Sequence, residues 1–309
     1  MQIIDFTIAH IEQATLITKQ NYAEARRFVP VLPPIDKTPD LTPFAENNFG
    51  VAAFDNGNMV GFMCSVSPVE RPFQIPDILG AYVPLLTHGS DYHNRAALYA
   101  SMYESASKKW VAAGAVNHTI VLYAHDIETQ MQFFRYRFGT HGIDAIREIT
   151  GLNAKAPPEF QFAELTPTEF DMVFPLHNLL RDHFLQSPMF ISFPHITLDE
   201  FRQMNEKENA RYFVVKSDSE IVGYMKFSEH GETFISRESD MINLCGAYLL
   251  SEFRGKGVYD ALLSYAASTL ALDGYKRIGV DFESFNPTAR GFWLKHFTPY
   301  TTSVVRRIS

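Results

Sequence analysis

The sequence predicts an α/β fold of the α+β type that occurs twice along the chain, each copy a mixed, mostly antiparallel sheet flanked by helices. Three observations carry this prediction. The chain has 309 residues, whereas one domain usually takes ~150 residues. Hydrophobic residues make up 46% of the chain and charged residues 20%, which is typical of proteins that bury a core. The third observation is that both halves repeat one order of strands and helices.

In the first half, a short strand and a helix precede a predicted hairpin. Its turn is the D-N-G-N run at 55–58, where Asn and Gly tolerate the positive φ that a tight turn requires. The apolar run ILGAYVPLL predicts the next strand, and the helix after it is expected to end at Gly114, since glycine often terminates a helix. The strand HTIVLYA and a helix over residues 127–138 complete this half.

The second half repeats that order. The strand FQFAEL and the helix TEFDMVFPLHNLLRDHF precede a hairpin that turns at residues 217–219. The strand INLCGAYLL then leads to a helix from Val258 to Leu272, which Gly274 closes. The strand RIGVDFE, the helix PTARGFWLKHF and the strand TTSVVRRI follow.

One tripeptide also links the two halves, because Gly-Ala-Tyr at 80–82 recurs at 246–248. A pattern that occurs twice over such long stretches indicates duplication of a whole domain. We therefore predict domains at residues 1–150 and 159–309. The linker is expected at 151–158, where Gly, Asn and a Pro-Pro pair interrupt the periodicity.

The composition argues against several classes of protein. The net charge of −8 argues against a general affinity for nucleic acid. No run approaches the ~20 apolar residues of a membrane helix, and the N-terminus lacks the features of a secretory signal, so we expect a cytoplasmic protein. Cys64 and Cys245 lie in apolar runs and are expected to be buried thiols in a reducing compartment. No Cys or His cluster has the spacing of a metal site.

The stretch EFRGKGVYDALL, residues 252–263, joins a predicted strand to a predicted helix and predicts a phosphate site. The first N–H groups of a helix have no partner inside it, and the helix dipole places partial positive charge there. Gly255 and Gly257 allow successive N–H groups to converge on an anion, and Arg254 and Lys256 add charge. A surface turn with solvated cations is the alternative. Neither the P-loop pattern nor the three glycines of the dinucleotide fingerprint are met.

The run LLSEFRGKGVY, which begins at Leu249, resembles the coenzyme A signature of the GNAT acetyltransferase superfamily, [QR]-x-x-G-x-[GA], at the end of the fourth strand. Arg254, Gly257 and Tyr259 fill the three defined positions, and Tyr259 departs from the small residue expected at the last. The segment VDFESFNPTARGFWLKHF resembles the fifth strand and the following helix of that family, with Asn286 facing the pantetheine arm.

The resemblance covers residues 157–309, and the first half shares it only in outline. There the run Asn94-Arg95-Ala96-Ala97 replaces the glycine loop and Ile127 takes the place of Asn286. The resemblance implies a tandem GNAT protein whose first copy is degenerate and keeps the fold without binding the cofactor.

The resemblance also implies acetyl-CoA as the cofactor and direct transfer of its acyl group to an amine of a small molecule or peptide. The backbone N–H groups of residues 255–259 would hold the pyrophosphate, and the N–H of Leu249 would stabilise the oxyanion. The residues expected to bind the cofactor are Leu249, Arg254, Gly255, Lys256, Gly257, Val258, Tyr259 and Asn286.

A base is needed because an alkylamine has a pKa of ~10.4 and must lose a proton before it attacks. Asp281 and Glu283 alternate with apolar neighbours and share one face of a predicted strand. We predict Glu283, nearer the C-terminal end of that strand, as the general base, and a structural pair of carboxylates is an equal alternative.

The general acid is an open question. Trp293 stands where many members of the family place a tyrosine, and an indole N–H is not a practical acid. Tyr259 or Tyr248 could serve instead, or the thiolate could leave unaided, since a thiol has a pKa of ~8.5. Trp293 is otherwise expected to pack in the core.

Three functions follow from these patterns. The first is an acetyl-CoA-dependent N-acetyltransferase, with polyamines, aminoglycosides, amino acids and protein N-termini all open as acceptors. The second is a non-catalytic acyl-CoA-binding regulatory protein, which Trp293 and Tyr259 favour. The third is a structural pair of degenerate domains.

Overall fold

The computed structural model describes residues 1–35, 38, 40–72, 78–155 and 157–308. The chain forms two compact units: Met1–Asp144 together with Thr298–Ser309, and Ala145–Phe297. The predicted domains, 1–150 and 159–309, differ from this division at both ends. Residues 145–150 belong to the second unit and the C-terminal strand belongs to the first. Of the predicted linker, Ala156 lies outside the described residues.

The elements up to residue 148 keep the predicted order and include a short helix and four strands that the sequence analysis missed. The helices are α1 (Ile11–Phe28), α2 (Thr42–Glu46), α3 (Arg95–Ala112) and α4 (Ile127–Arg135). The strands are β1 (Gln2–Asp5), β2 (Gly50–Asp55), β3 (Asn58–Cys64), β4 (Val69–Glu70), β5 (Leu79–Val83), β6 (His88–Ser90), β7 (Ala115–Tyr123), β8 (Gly139–Thr140) and β9 (Gly142–Glu148).

The elements from residue 160 onward include one helix that the sequence analysis missed. The helices are α5 (Phe174–Leu185), α6 (Leu198–Glu208), α7 (Val258–Leu272) and α8 (Pro287–His296). The strands are β10 (Phe160–Glu164), β11 (Arg211–Ser217), β12 (Glu220–Ser228), β13 (Met241–Leu249), β14 (Arg277–Glu283), β15 (Thr298–Pro299) and β16 (Thr301–Arg307).

The first unit contains two groups of paired strands, in the orders β1-β2-β3-β6 and β4-β5-β7-β16-β8. The hairpin β2–β3 is confirmed, and its turn residues Asn56 and Gly57 have φ of 49° and 83°. Trp110, on the buried face of α3, is fully enclosed in the core of this unit, and its indole N–H donates to the oxygen of Phe49 at 2.9 Å. Burial of this apolar face stabilises α3 more than its intrinsic propensity does.

Strand β16 explains why the C-terminal residues belong to the first unit. It pairs antiparallel with β7 from Thr301↔Tyr123 to Arg307↔Asn117. It also pairs with β8. The sequence pattern predicted this strand correctly, but a period of two says nothing about which neighbour the strand will find.

The second unit contains a sheet in the order β10-β11-β12-β13-β14-β9. Its only parallel pair among the pairings described is β13–β14, and β10 to β13 are antiparallel, as predicted. Helix α7 packs against β10, β11 and β12, whereas α5 packs against β12 and β13. Thr197 and Glu200 form a capping box at the start of α6. That T-x-x-E signal was present in the sequence and predicts this helix.

Candidate functional site

The central feature of the second unit is a parallel strand pair that comes apart. Strands β13 and β14 pair from Met241↔Arg277 to Leu244↔Val280. Beyond Leu244, β13 continues to Leu249 and, in the pairings described, pairs there with β12 and not with β14. The two strands therefore diverge and leave an opening between residues 245–249 and 281–283.

The departure begins at a β-bulge. Lys226 pairs with Gly246 and Phe227 with Leu244, so Cys245 is the extra residue on β13. Bulges bend a strand and redirect its groups. Farther along, the N–H of Leu250 donates to the oxygen of Val222 at 3.0 Å.

Backbone groups alternate in direction along an antiparallel ladder. Since the amide of Leu250 points to β12, that of Leu249 points away from β12 and toward the opening. Ala247, two residues earlier, has the same orientation. The geometry is thus suitable for the predicted role of Leu249 as an oxyanion donor and offers Ala247 as a second donor that sequence reasoning missed.

The predicted phosphate loop lies directly after β13. Gly255 and Gly257 both have φ of +75°, and a Cβ at either position would meet nothing within 4 Å. The glycines are therefore required by backbone conformation and not by crowding. Gly257 is the N-cap of α7. None of the N–H groups of residues 255–260 donates to a protein acceptor within the described part of the chain. Six successive unpaired amides at a helix N-terminus form a cradle that fits a diphosphate.

The charged side chains of this loop lie against rings. The guanidinium of Arg254 donates from Nε to the oxygen of Leu249 at 2.9 Å and lies 5.4 Å from the ring centre of Tyr248. The Nζ of Lys256 lies 5.6 Å from the ring centre of Phe253, and Lys256 is exposed. Arg254 is thus held in place, whereas Lys256 is free to move toward an anion.

A cavity of about 750 Å³ extends from this loop into the opening between β13 and β14. Most of the predicted site residues line it, and Lys256 does not. Helix α5 and the segment after it supply a third wall, with Leu180, His183, Phe184 and Phe193. The predicted site residues on the lining are Leu249, Arg254, Gly255, Gly257, Val258, Tyr259, Glu283 and Asn286.

The two carboxylates predicted on one face of β14 both line the cavity. Asp281 is exposed, Glu283 is half-buried, and the apolar residues between them, Val280 and Phe282, are buried. Burial raises the pKa of Glu283, and the nearby carboxylate of Glu232 raises that pKa further. Glu283 therefore holds a proton more readily than an ordinary glutamate, as a general base requires.

Asn286 caps α8, so its side chain stabilises the start of that helix in addition to its predicted contact with the pantetheine arm. Its Oδ1 accepts from the N–H of Ala289 at 3.2 Å and from the hydroxyl of Thr288 at 2.8 Å. The side-chain amide nitrogen is what Asn286 can still offer to a ligand.

His183, which no sequence pattern assigned to this site, lies on α5 and lines the same part of the cavity. Its Nε2 lies 3.3 Å from Oγ1 of Thr288, and its ring centre lies 6.3 Å from that of Tyr248. Burial lowers the pKa of His183, and the charge of Arg254 lowers it further, so the imidazole is neutral at pH 7. No local sequence signal links His183 to Thr288, because they are 105 positions apart.

Trp293 and Tyr259, two aromatic residues considered for the general acid, are both engaged in contacts within the protein. Trp293 is 4% exposed and contacts Phe292 and Phe297, with ring centres 4.8 and 5.6 Å away. The hydroxyl of Tyr259 donates to the oxygen of Tyr224 at 2.8 Å, and burial raises the pKa of Tyr259. Neither side chain presents a free proton to the cavity.

An ion cluster lies next to the loop on the cavity wall. Oδ1 of Asp260, in the first turn of α7, accepts from Nζ of Lys295 at 2.5 Å and from Nε2 of His296 at 2.8 Å. These two donors lower the pKa of Asp260 although its partial burial opposes them. The cluster keeps the carboxylate neutralised beside the cradle of amides.

The expectation for the two thiols is half correct. Cys64 is buried, whereas Cys245 is exposed on the cavity wall because the bulge turns it out of the sheet. The crowded surroundings nevertheless raise the pKa of Cys245 to about 12, so the thiol is unreactive at neutral pH. In the described residues no group of His, Cys, Asp and Glu could hold a metal ion. No helix in that part of the chain has the length and apolar character to span a membrane.

In the described part of the first unit, the corresponding strands are arranged differently, and no glycine loop precedes α3. Its parallel pair, β5–β7, runs from Leu79 to Val83, and the next strand, β6, pairs with β3. Gly80-Ala81-Tyr82 lies inside this pairing, whereas Gly246-Ala247-Tyr248 lies beyond the point where β13 leaves β14. The two Gly-Ala-Tyr tripeptides therefore occupy different positions relative to the parallel strand pair. Only four residues, 91–94, connect β6 to α3, compared with eight, 250–257, between β13 and α7.

Ion pairs replace the cradle in the first unit. The side chain of Asn94 caps α3, and the guanidinium of Arg95 binds Glu24 at 2.6 Å and Asp126 at 3.5 Å. Asp126 caps α4 just as Asn286 caps α8, so Asp126, and not Ile127 as predicted, takes the place of Asn286. The sequence match was wrong by one residue because a polar cap, and not the first helical residue, defines the equivalent position.

Comparison with known proteins gives a family match for part of the chain and a shared fold. Residues 176–297 match the acetyltransferase (GNAT) family. A GCN5-related N-acetyltransferase from Sphaerobacter thermophilus is similar over 99% of this chain and 95% of its own, with 11% identity and a TM-score of 0.56. A GCN5-related glucosamine N-acetyltransferase region in a fungal multi-domain GH3 β-N-acetylglucosaminidase is similar over 98% of this chain and 38% of its own, with 11% identity and a TM-score of 0.51. At these identities the likeness shows a shared fold. None of the curated proteins matches the chain.

Proposed function

We propose, from the match of residues 176–297 to the acetyltransferase (GNAT) family, that the second unit binds acetyl-CoA and transfers its acyl group to an amine. The observation that carries the proposal is the row of six unpaired amides at 255–260, which opens into the gap between β13 and β14. Such a row binds a diphosphate, and the gap accepts an extended chain beside it.

The charges along the cavity support both a polyanionic cofactor and a cationic acceptor. Arg254 and Lys295 lie at the end near the loop, whereas Asp281 and Glu283 lie on the far strand. Amines reach the site as ammonium ions at neutral pH, since their pKa is ~10.4. The carboxylates attract such an ion, and the loop attracts phosphates.

The chain's own residues would then perform the transfer. The amide of Leu249, turned toward the gap, donates to the oxygen of the thioester as negative charge develops there. Glu283, with its raised pKa, takes a proton from the ammonium group and frees the nucleophile. Asn286 and the splayed end of β13 orient the bound chain. The cofactor supplies the activated acyl group.

The first unit is proposed to keep the fold without binding the cofactor. The support is the buried side chain of His88, which joins β6 to the oxygen of Val121 in β7, and the ion pairs of Arg95 with Glu24 and Asp126. Asp126, at the position of Asn286, is a carboxylate that caps α4 and pairs with Arg95, so it offers no amide nitrogen to a ligand.

Calorimetric titration with acetyl-CoA, followed by thiol release against a panel of amines, tests the proposal. We expect one cofactor per chain and turnover with at least one amine. The second candidate function is non-catalytic binding of acyl-CoA, and the buried Trp293 and the engaged hydroxyl of Tyr259 favour it. Binding without turnover on any amine would favour that second function, and absence of binding would overturn both.

A further inference from the structure

Direct transfer to an amine requires the movement of two protons. A C–N bond forms and the C–S bond of the thioester breaks. The attacking ammonium group carries three protons and the product amide keeps one. One of the other two goes to solvent, and the second ends on the departing thiolate as the thiol. This inference rests on the proposed function, in which Glu283 takes the proton that goes to solvent. Glu283 does not account for the proton that ends on the thiolate.

None of the three aromatic candidates suits the second transfer. Trp293 is packed among rings and its indole is not an acid. The proton of Tyr259 is committed to the oxygen of Tyr224. Burial raises the pKa of Tyr248 above 10, so transfer of its proton to a thiolate, whose conjugate acid has a pKa of ~8.5, would be uphill.

A hydrogen-bond chain fixes the tautomer of His183. Oδ1 of Asn286 accepts from the backbone N–H of Ala289, which identifies this atom as the oxygen. The hydroxyl of Thr288 must therefore donate to Asn286, because the amide oxygen has no proton to give. The oxygen of Thr288 is then free only to accept, so Nε2 of His183 carries the proton in their 3.3 Å contact.

This assignment leaves Nδ1 of His183 with its lone pair. Among the residues that the structure describes, no donor is bonded to it. The groups around the ring are Arg254 from the loop, Tyr248 from β13, Thr288 from α8 and Phe184 from its own helix. Arg254 disfavours a lasting imidazolium, so a proton received on Nδ1 is readily given away.

We propose that Nδ1 of His183 takes a proton from the nitrogen of the amine as the C–N bond forms and returns it to the sulfur as the C–S bond breaks. The imidazolium has a lower pKa than the thiol, so the second step is downhill. His183 thus acts first as base and then as acid, and Thr288 is a positioning residue that keeps its proton on Nε2.

The kinetic test replaces His183 by glutamine. The amide nitrogen of Gln can still donate to Thr288, but it cannot carry a proton. We expect H183Q to lower kcat about 10²- to 10³-fold, within the range of general acid–base catalysis, with the Kd of acetyl-CoA unchanged within about twofold. The loss of kcat/KM that accompanies protonation of His183 below pH 6.5 should disappear. His195, exposed and bonded to Asp182 at 2.7 Å, lies outside the cavity lining, and H195Q is the matched control with unchanged rates.

The positional test uses Thr288 and does not depend on turnover. Nitrogen-15 NMR of the imidazole should show the Nε2–H tautomer in the wild type and in Thr288→Ser, and a mixture of tautomers in Thr288→Val. We expect Thr288→Val to lower kcat about fivefold to tenfold without a change in the Kd of acetyl-CoA, and Thr288→Ser to restore it. An Nδ1–H tautomer in the wild type would overturn the inference.

The outcomes separate this inference from the proposed function. A wild type that acylates amines, together with an H183Q variant of unchanged kcat, overturns the role of His183 alone. A wild type that binds acetyl-CoA but turns over no amine overturns the proposed transfer and the role of His183 with it. A large loss in H183Q with normal rates in H195Q supports both.

Discussion

Both units have a parallel strand pair in a sheet, and the two pairs end differently. In the second unit, β13 leaves β14 after Leu244 and runs on to Leu249 alone on that side. In the first unit, β5 pairs with β7 as far as Val83, and the next strand, β6, pairs with β3 and not, in the pairings described, with β7. The parallel pairing therefore ends before the helix in both units, and the units differ in what lies beyond that end. The side chains there, and not the fold itself, decide whether a cavity opens between the two strands.

A buried histidine closes the first unit at the corresponding place. Nε2 of His88, in β6, donates to the oxygen of Val121, in β7, at 2.6 Å. Since a carbonyl can only accept, Nδ1 accepts from the hydroxyl of Tyr99, also at 2.6 Å. His88 is 2% exposed, so its ring fills the space between β6 and β7.

The largest expected effect comes from removing the cradle. Replacing Gly255 and Gly257 together by valine places β-branched residues at φ of +75° and costs about 1–3 kcal/mol at each position, or turns the amides away. We expect the Kd of acetyl-CoA, measured by calorimetry, to rise at least about 100-fold. Gly274, with φ of +95° at the other end of α7, is the control: Gly274→Val should lower stability but not affinity. Unchanged affinity in the double variant would remove the basis of the proposed cofactor site.

The second prediction concerns His88 in the first unit. His88→Ala leaves the oxygen of Val121 and the hydroxyl of Tyr99 without a partner in the core. Each buried polar group left unsatisfied costs about 1–3 kcal/mol, so we expect the free energy of unfolding to fall by about 3 kcal/mol in urea titrations. Affinity for acetyl-CoA should stay as in the wild type. Binding of a second cofactor by His88→Ala would show that the histidine alone keeps the first unit closed.

Acid should weaken the first unit. Burial lowers the pKa of both His88 and His118 to about 4, below the ~6.5 of an unfolded histidine. The unfolded chain therefore takes up protons first. The free energy of unfolding has its full value above pH 6.5 and decreases as the pH drops toward 4. Between pH 7.5 and 5.5 we expect a loss of about 2–3 kcal/mol from the two residues together.

The sequence has two tryptophans, one in each unit, which allows this loss to be located. In Trp293→Phe the fluorescence of Trp110 reports the unfolding of the first unit. The same titration in the double variant His88→Phe/His118→Phe, on that background, should be nearly flat between pH 7.5 and 5.5. An equally steep pH dependence would assign the acid sensitivity to other groups.

The smallest effect is expected at Lys256. The side chain is exposed and bound to no carboxylate among the residues that the structure describes, so it contributes to anion binding only through a screened charge. We expect Lys256→Ala to weaken acetyl-CoA about threefold at low salt, and less at high salt. Lys276, 74% exposed and remote from the cavity lining, is the matched control. A loss as large as that of the glycine variant would mean that the side chain, not the backbone, holds the phosphate.

Local signals made much of this predictable. The helix from Val258 to Leu272 and the strand RIGVDFE were predicted with the bounds they have, because glycine punctuation and apolar periodicity lie within a few residues of the element. The loop at Gly255 and Gly257 was likewise visible, since positive φ is a property of single residues. Alternation also placed Asp281 and Glu283 on one face.

What the sequence could not supply is non-local. Pairing partners are not encoded in a period of two, so neither the place of β16 nor the point where β13 leaves β14 was predictable. The shared tripeptide Gly-Ala-Tyr suggested an equivalence that the strand pairing contradicts. The proposed role of His183 depends on its contact with Thr288. A contact between residues so far apart in the chain cannot be recognised from a single sequence.

The position of β16 has a consequence for how the chain acquires its structure. Strand β16 lies between β7 and β8, so a sheet whose other strands lie within residues 69–140 is completed by residues 301–307. During synthesis on the ribosome, one edge of β7 therefore stays unpaired until residues 301–307 emerge. An exposed edge strand invites association with other chains. A variant that lacks residues 298–309 should therefore lose the structure of the first unit before that of the second.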